Sequence, residues 1–145
     1  MYRKIVVCLD GSALAEEVIP YALEQARRGG GELILLYVRT PVDRRRSWTD
    51  LEHSVKVSGS GVAGAYLAGL AERLGARGIH VEHATVSQRG RSLADAIIGF
   101  ARESHADAIA LTPHGRGRRI DRPLGAVASS VLRKTTVPVL VTTSR

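Results

Sequence analysis

Two polar turns in this sequence have residue types suited to binding a phosphate group. Asp10 opens the first turn, residues 10–12, with the sequence Asp-Gly-Ser. The second turn, residues 112–117, contains glycine and arginine and leads toward a predicted helix that starts near Gly125. Glycine lets backbone N–H groups approach an anion closely. A helix N-terminus adds unpaired N–H groups and the positive end of the helix dipole.

The same turns have a plainer interpretation, and the spacing leaves both open. Asp10 could accept a hydrogen bond from an adenine amino group or a ribose hydroxyl, and Val38 could offer apolar contact to a base. An Asp-Gly-Ser stretch is, however, often only a turn followed by a helix cap. Glycine-rich connections between a strand and a helix also occur without any ligand.

Apolar runs that alternate with stretches of helical period would position these turns. The predicted strands are residues 5–9, 33–38, 79–86, 108–111 and 137–141, and four helices are predicted within 14–26, 62–74, 93–101 and 127–132. Pro20 lies inside the first helical pattern, where it would cost about 3 kcal/mol in a regular helix. We therefore expect either a kink at Pro20 or a helix that starts again there.

Strands that alternate with helices predict a three-layer α/β fold, a five-stranded parallel sheet with helices on both faces. The first two strands are the most apolar and belong in the middle, whereas the third carries His80, Glu82 and His83 and suits an edge. We predict the strand order 3-2-1-4-5. Strands 1 and 4 are then neighbours, and ligands of such folds bind outside the carboxyl ends of the strands at that point.

Composition narrows the class of protein. The chain has 145 residues, which we interpret as one domain, 1–145, with a mobile loop at about residues 40–60. Aromatic residues make up only 4%, so a platform for stacking single-stranded bases is not expected. The net charge of +7 fits an anionic ligand or an acidic partner, but it also fits a merely soluble surface.

The chain has few features of a membrane protein or of an enzyme. No segment approaches the roughly 20 apolar residues of a membrane span, and the start is too short for a signal peptide, so we expect a cytoplasmic protein. Cys8, the single cysteine, lies in an apolar run and is expected to be a buried, inert thiol. His80 and His83 would face opposite sides of a strand, so we predict no metal site. With no nucleophile–base pattern, we predict no enzyme, or at most a weak ATPase.

Three stretches together carry a resemblance to a known family. Residues 5–12 read IVVCLDGS, residues 137–141 read VPVLV, and nine residues separate Gly115 from Gly125. Over essentially its whole length the sequence resembles the universal stress protein family, whose nucleotide motif is Gly, two residues, Gly, nine residues, Gly, then Ser or Thr. The resemblance implies a Rossmann-like fold of the adenine nucleotide alpha hydrolase-like type.

The family's motif is incomplete in this sequence. Thr112 stands at the first motif glycine, and Ala126 stands at the final Ser or Thr. Ala126 lacks a hydroxyl whose hydrogen bond would be worth roughly 0.5–1.5 kcal/mol. Thr112 adds a branched side chain where the backbone would approach the ligand. Arg116 and Arg118 could compensate by pairing with phosphates, or they could be solvated loop charges.

The resemblance implies a cytoplasmic stress-response protein that is usually a homodimer, and some members bind ATP. The last strand, residues 137–141, would pair with its twofold mate. ATP or AMP is the expected ligand. The nucleotide-binding positions that the resemblance implies are Asp10, Val38, Thr112, Gly115, Gly125, Ala126 and Val127.

Two other functions stay open. The first is a dimeric scaffold of the same fold with an empty site, which would meet an acidic partner through its arginines. The second is a nucleic-acid binder, suggested by the arginines of 44–46 and 116–119. We do not favour nucleic acid as a partner, because the chain lacks an aromatic platform and any recognition-helix signature.

Overall fold

The predicted parallel sheet is confirmed. The computed structural model describes residues 2–40, 61–113 and 124–142. Five parallel strands lie in the order β3-β2-β1-β4-β5, as the sequence predicts. The strands are β1 (Lys4–Leu9), β2 (Glu32–Arg39), β3 (His80–Ser87), β4 (Ala108–Leu111) and β5 (Val139–Val141). The predicted loop at about 40–60 falls almost wholly outside the described residues and stays a prediction.

The first helical stretch consists of two helices, because the helix starts again next to Pro20. Ser12 caps the first piece, and its hydroxyl oxygen accepts the N–H of Ala15 at 3.1 Å. Pro20 lies in the first turn of the second piece, where its missing N–H removes no intrahelical bond. The helices are α1 (Ala13–Glu16), α2 (Ile19–Arg28), α3 (Gly61–Gly75), α4 (Leu93–Glu103) and α5 (Ala126–Lys134).

The central strands are buried on both faces, which explains their unbroken apolar runs. Alternate residues of β1 enter two separate core layers. Ile5 and Val7 pack with residues of α1, α2 and α3, whereas Val6 packs with residues of α4 and α5. The helices thus cover both faces of the sheet. Cys8 is partly rather than fully buried against the second layer, and desolvation raises the pKa of its thiol to about 12, in agreement with an inert thiol.

The sheet has β3 at one edge and β5 at the other. His80, Glu82 and His83 on β3 are exposed, as expected for an edge strand. Val139–Val141, which form β5, are partly exposed. Among the described residues, no helix is long and apolar enough to cross a membrane.

Candidate functional site

The two predicted turns begin at the same end of neighbouring strands. β1 and β4 run parallel, with Val6 opposite Ile109 and Val7 opposite Ala110. Asp10 directly follows β1, and Thr112 directly follows β4. The predicted adjacency of strands 1 and 4 is thus confirmed. The space outside these two carboxyl ends is called the β1–β4 crevice below.

Asp10 holds the first turn. Its Oδ1 accepts hydrogen bonds from the backbone N–H of Ser12 at 2.9 Å and from the Ser12 hydroxyl at 2.5 Å. Gly11 between them has a φ of +85°, a conformation that L side chains rarely adopt. The turn-and-cap interpretation is thus correct for residues 10–12. It also keeps the partly buried Asp10 carboxylate fixed beside the crevice.

The start of α5 lies close to the end of β4. Gly125 is its N-cap residue, and the Gly125 N–H donates a 2.6 Å hydrogen bond to the carbonyl oxygen of Pro113. Glycine has no side chain, so the N-cap residue itself makes no capping hydrogen bond. The N–H groups of Ala126 and Val127 belong to its first turn and have no acceptor within the helix. They supply the partial positive charge that an anion requires.

The other predicted site residues differ in how exposed they are to solvent. Val38 is buried, with only 9% of its surface exposed, so it offers a base little area. Val127 packs against the same core layer as Val38. Thr112 is partly buried, whereas Ala126 is exposed at the start of α5. Gly115, Arg116 and Arg118 lie outside the described residues, and their roles stay predictions.

One contact near the crevice has no counterpart in the sequence predictions. The Tyr66 hydroxyl of α3 donates a 2.8 Å hydrogen bond to Oε2 of Glu16 in α1. Burial raises the pKa of Tyr66, the bond to Glu16 and the charge of Glu16 raise it further, and the charge of Asp10 adds to them. Fifty positions separate the two partners, so no local pattern could have revealed the pair.

A second polar group lies at the opposite, amino ends of the strands. Glu32 begins β2, His80 begins β3, and parallel register places the two residues side by side. Glu82 is two residues along β3, on the same face as His80. One ligand atom from each of the three residues lies within 4.8 Å of the other two. We call these three residues the amino-end cluster. The sequence-based prediction of no metal site compared only His80 with His83 and did not consider this group.

The amino-end cluster opens onto a cleft of about 430 Å³. Glu32 and His80 line this cleft. Its other lining residues are Arg3, Lys4, Gly30, Gly31, His105 and Asp107. The cleft is separated from the β1–β4 crevice by the length of the strands, so the two candidate sites are distinct.

Comparison with known proteins establishes the family. The model of the universal stress protein family matches residues 1–143. The chain belongs to this family, as its motifs indicated. None of the curated proteins compared with the chain matches it.

Solved structures share the fold over nearly their whole length. The hypothetical protein MJ0577 is 24% identical, with a TM-score of 0.80 and coverage of 100% of this chain and 98% of that one. A universal stress protein solved in complex with cAMP is 24% identical, with a TM-score of 0.70 and coverage of 99% and 98%. One from Archaeoglobus fulgidus, solved with dAMP, is 27% identical, with a TM-score of 0.67 and coverage of 97% of both chains.

Proposed function

We propose that this protein is a cytoplasmic, homodimeric stress-response protein that binds ATP or AMP in the β1–β4 crevice. One observation carries the proposal: the fixed Asp10 carboxylate follows β1, and the N-terminus of α5 is hydrogen-bonded to Pro113 just after the adjacent strand β4. Ligands of open α/β sheets bind at such a point. Two similar proteins were solved with the adenine nucleotides cAMP and dAMP, which supports this ligand class.

Each crevice residue has a role in this proposal. Asp10 accepts a hydrogen bond from the ribose or the adenine, and the N–H groups of Ala126 and Val127 donate to phosphate oxygens. Arg116 and Arg118 pair with the outer phosphates. Thr112 narrows the approach to the phosphates. Because the motif is incomplete, we expect affinity below that of a complete motif.

We propose a sensing role rather than catalysis, with at most a weak ATPase activity. The raised pKa values of Cys8 and Tyr66 keep both groups neutral near pH 7, so neither is an activated nucleophile. The Tyr66 hydroxyl is bonded to a carboxylate on a neighbouring helix and connects two elements of the fold. Bound nucleotide would instead change the surface that the crevice presents to partners.

The homodimer would form through β5. Within the described residues, β5 pairs with β4 alone, and Val139–Val141 are partly exposed. A strand edge with free backbone groups pairs readily with a second copy. Val137 and Pro138 precede β5 and would lie at the margin of that interface.

A scaffold with an empty site is the second candidate. Thr112 and Ala126 favour it because both depart from the family's motif. The net charge of +7 would then serve an acidic partner. Mass spectrometry of small molecules released from protein purified without added ligand separates the candidates. We expect an adenine nucleotide, and protein that releases none would favour the scaffold.

A further inference from the structure

We propose that the amino-end cluster, Glu32, His80 and Glu82, binds a divalent transition-metal ion, with Zn²⁺ the best fit. This site is separate from the nucleotide crevice and does not depend on it. Imidazole nitrogen together with carboxylate oxygen is a donor set suited to Zn²⁺ rather than to Mg²⁺, which prefers oxygen ligands alone.

The distances between the ligand atoms match a shared ion. Nε2 of His80 lies 3.2 Å from Oε1 of Glu82 and 3.7 Å from Oε2 of Glu32. Typical Zn–N and Zn–O bonds arranged tetrahedrally place their ligand atoms about 3.4 Å apart. The two His80 distances bracket this value. The third distance lies within the same 4.8 Å limit, and a small rotation of the exposed Glu82 side chain would shorten it.

The backbone presents the ligands in a fixed arrangement. Glu32 and His80 are register partners in adjacent parallel strands, and Glu82 follows on the same face. Lys4 Nζ lies 3.3 Å from Oε1 of Glu32, so this carboxylate has one oxygen on Lys4 and the other toward His80. Lys4 also donates to the carbonyl oxygen of Ser104 at 3.2 Å, which fixes its own position. Glu32 is therefore oriented before a metal arrives.

The ion would have a defined structural role and an accessible position. It would join β2 to the edge strand β3 at the point where both strands begin. Three protein ligands leave a fourth position for water, and the adjoining cleft of about 430 Å³ gives solvent access to Glu32 and His80. The alternative is a cluster in which the His80 ring contacts the two carboxylates directly and no metal binds.

Zn²⁺ titration of the full, untagged chain by isothermal calorimetry separates these alternatives. Wild type is compared with His80→Ala, Glu82→Gln and the matched control His83→Ala, an exposed histidine on the opposite face of β3. We expect His80→Ala and Glu82→Gln each to weaken Zn²⁺ binding by at least about tenfold. His83→Ala should leave it unchanged. Equal Zn²⁺ affinity in all four proteins would overturn the proposal.

A spectroscopic measurement tests the site without relying on affinity. Co²⁺ replaces Zn²⁺ and gives strong visible absorption in a tetrahedral environment. Wild type and His83→Ala should show this absorption, and His80→Ala should lose it. Absorption that survives in His80→Ala would place the metal elsewhere on the chain and contradict the assignment. Circular dichroism confirms that each variant is folded, which we expect because His80 and His83 are exposed.

Discussion

The backbone N–H of Gly125 donates a 2.6 Å hydrogen bond to the carbonyl oxygen of Pro113. This bond joins the residues after β4 directly to the start of α5. The helix N-terminus is therefore held near the end of β4, and β4 is the neighbour of β1, the strand that Asp10 follows. The pairing of β1 with β4 and this one hydrogen bond thus determine where the backbone segments around the crevice lie. Thr112 directly precedes one partner of this hydrogen bond, and Ala126 directly follows the other. We therefore expect their side chains to affect ligand affinity more than the position of the crevice.

Restoring the family's motif should strengthen nucleotide binding. Ala126→Ser adds a hydroxyl in the first turn of α5, and Thr112→Gly removes a branched side chain from the approach to the phosphates. One added hydrogen bond is worth roughly 0.5–1.5 kcal/mol, so Ala126→Ser should raise ATP affinity about two- to tenfold. The double variant should bind at least as tightly. Calorimetry measures both.

The control for restoration is Ala68→Ser, which adds the same hydroxyl at an exposed position in α3. It should leave ATP affinity unchanged. If the double variant binds no better than wild type, other parts of the crevice limit binding.

Blocking the outer edge of β5 should dissociate the homodimer. The Pro138 carbonyl accepts the N–H of Ile109, so by the alternation of a parallel strand the Val139 N–H faces away from β4. Val139→Pro removes that donor while sparing the bonds to β4. We expect a monomer by light scattering coupled to size exclusion.

Val139→Ala is the matched variant for the dimer test, because it loses packing but keeps the N–H. It should remain a dimer. A wild-type protein that is monomeric at all accessible concentrations, or a dimeric Val139→Pro variant, would refute pairing through β5.

Gly31 should tolerate no side chain. A Cβ atom there would overlap the backbone carbonyl of Arg3, which cannot rotate aside. Gly31→Ala should therefore destabilise the protein by about 1–3 kcal/mol, the usual cost of overpacking. Urea denaturation measures the change. Gly64→Ala, where a Cβ meets nothing within 4 Å, should instead be neutral or stabilising because alanine favours a helix.

Tyr66 should make stability fall at alkaline pH. Its folded pKa is raised above the ordinary value near 10, chiefly by burial and then by its bond to Glu16. The neutral phenol is thus favoured in the folded state. This contribution is complete below about pH 10 and is lost as pH rises through the folded pKa. The free energy of unfolding should drop above pH 10 in wild type and drop less in Tyr66→Phe. Identical pH profiles would contradict this role.

Much of the fold could be predicted because its signals are local. The apolar runs of β1 and β2 indicated central strands, and the polar β3 indicated an edge. Pro20 indicated an interruption of the first helix. Only the structure shows that the helix starts again there rather than bending. Strand ends shifted by one or two residues; Val137 and Pro138, for example, precede β5 rather than belong to it.

Contacts between distant residues could not be predicted. The Tyr66–Glu16 hydrogen bond and the amino-end cluster depend on helix placement and strand register, which a single sequence does not encode locally. The buried position of Val38 illustrates the same limit. A residue at the end of a strand can be matched to a motif, but its exposure depends on the helices packed over it.

The central claim is that the β1–β4 crevice binds an adenine nucleotide, and thermal unfolding in the presence of ATP or AMP tests it most directly. Ligand at 100 times its Kd should stabilise the protein by about 2.7 kcal/mol and raise the unfolding midpoint, with Asp10→Ala reducing the shift. An unchanged midpoint at millimolar ATP and AMP, for both wild type and the motif-restored variant, would contradict it.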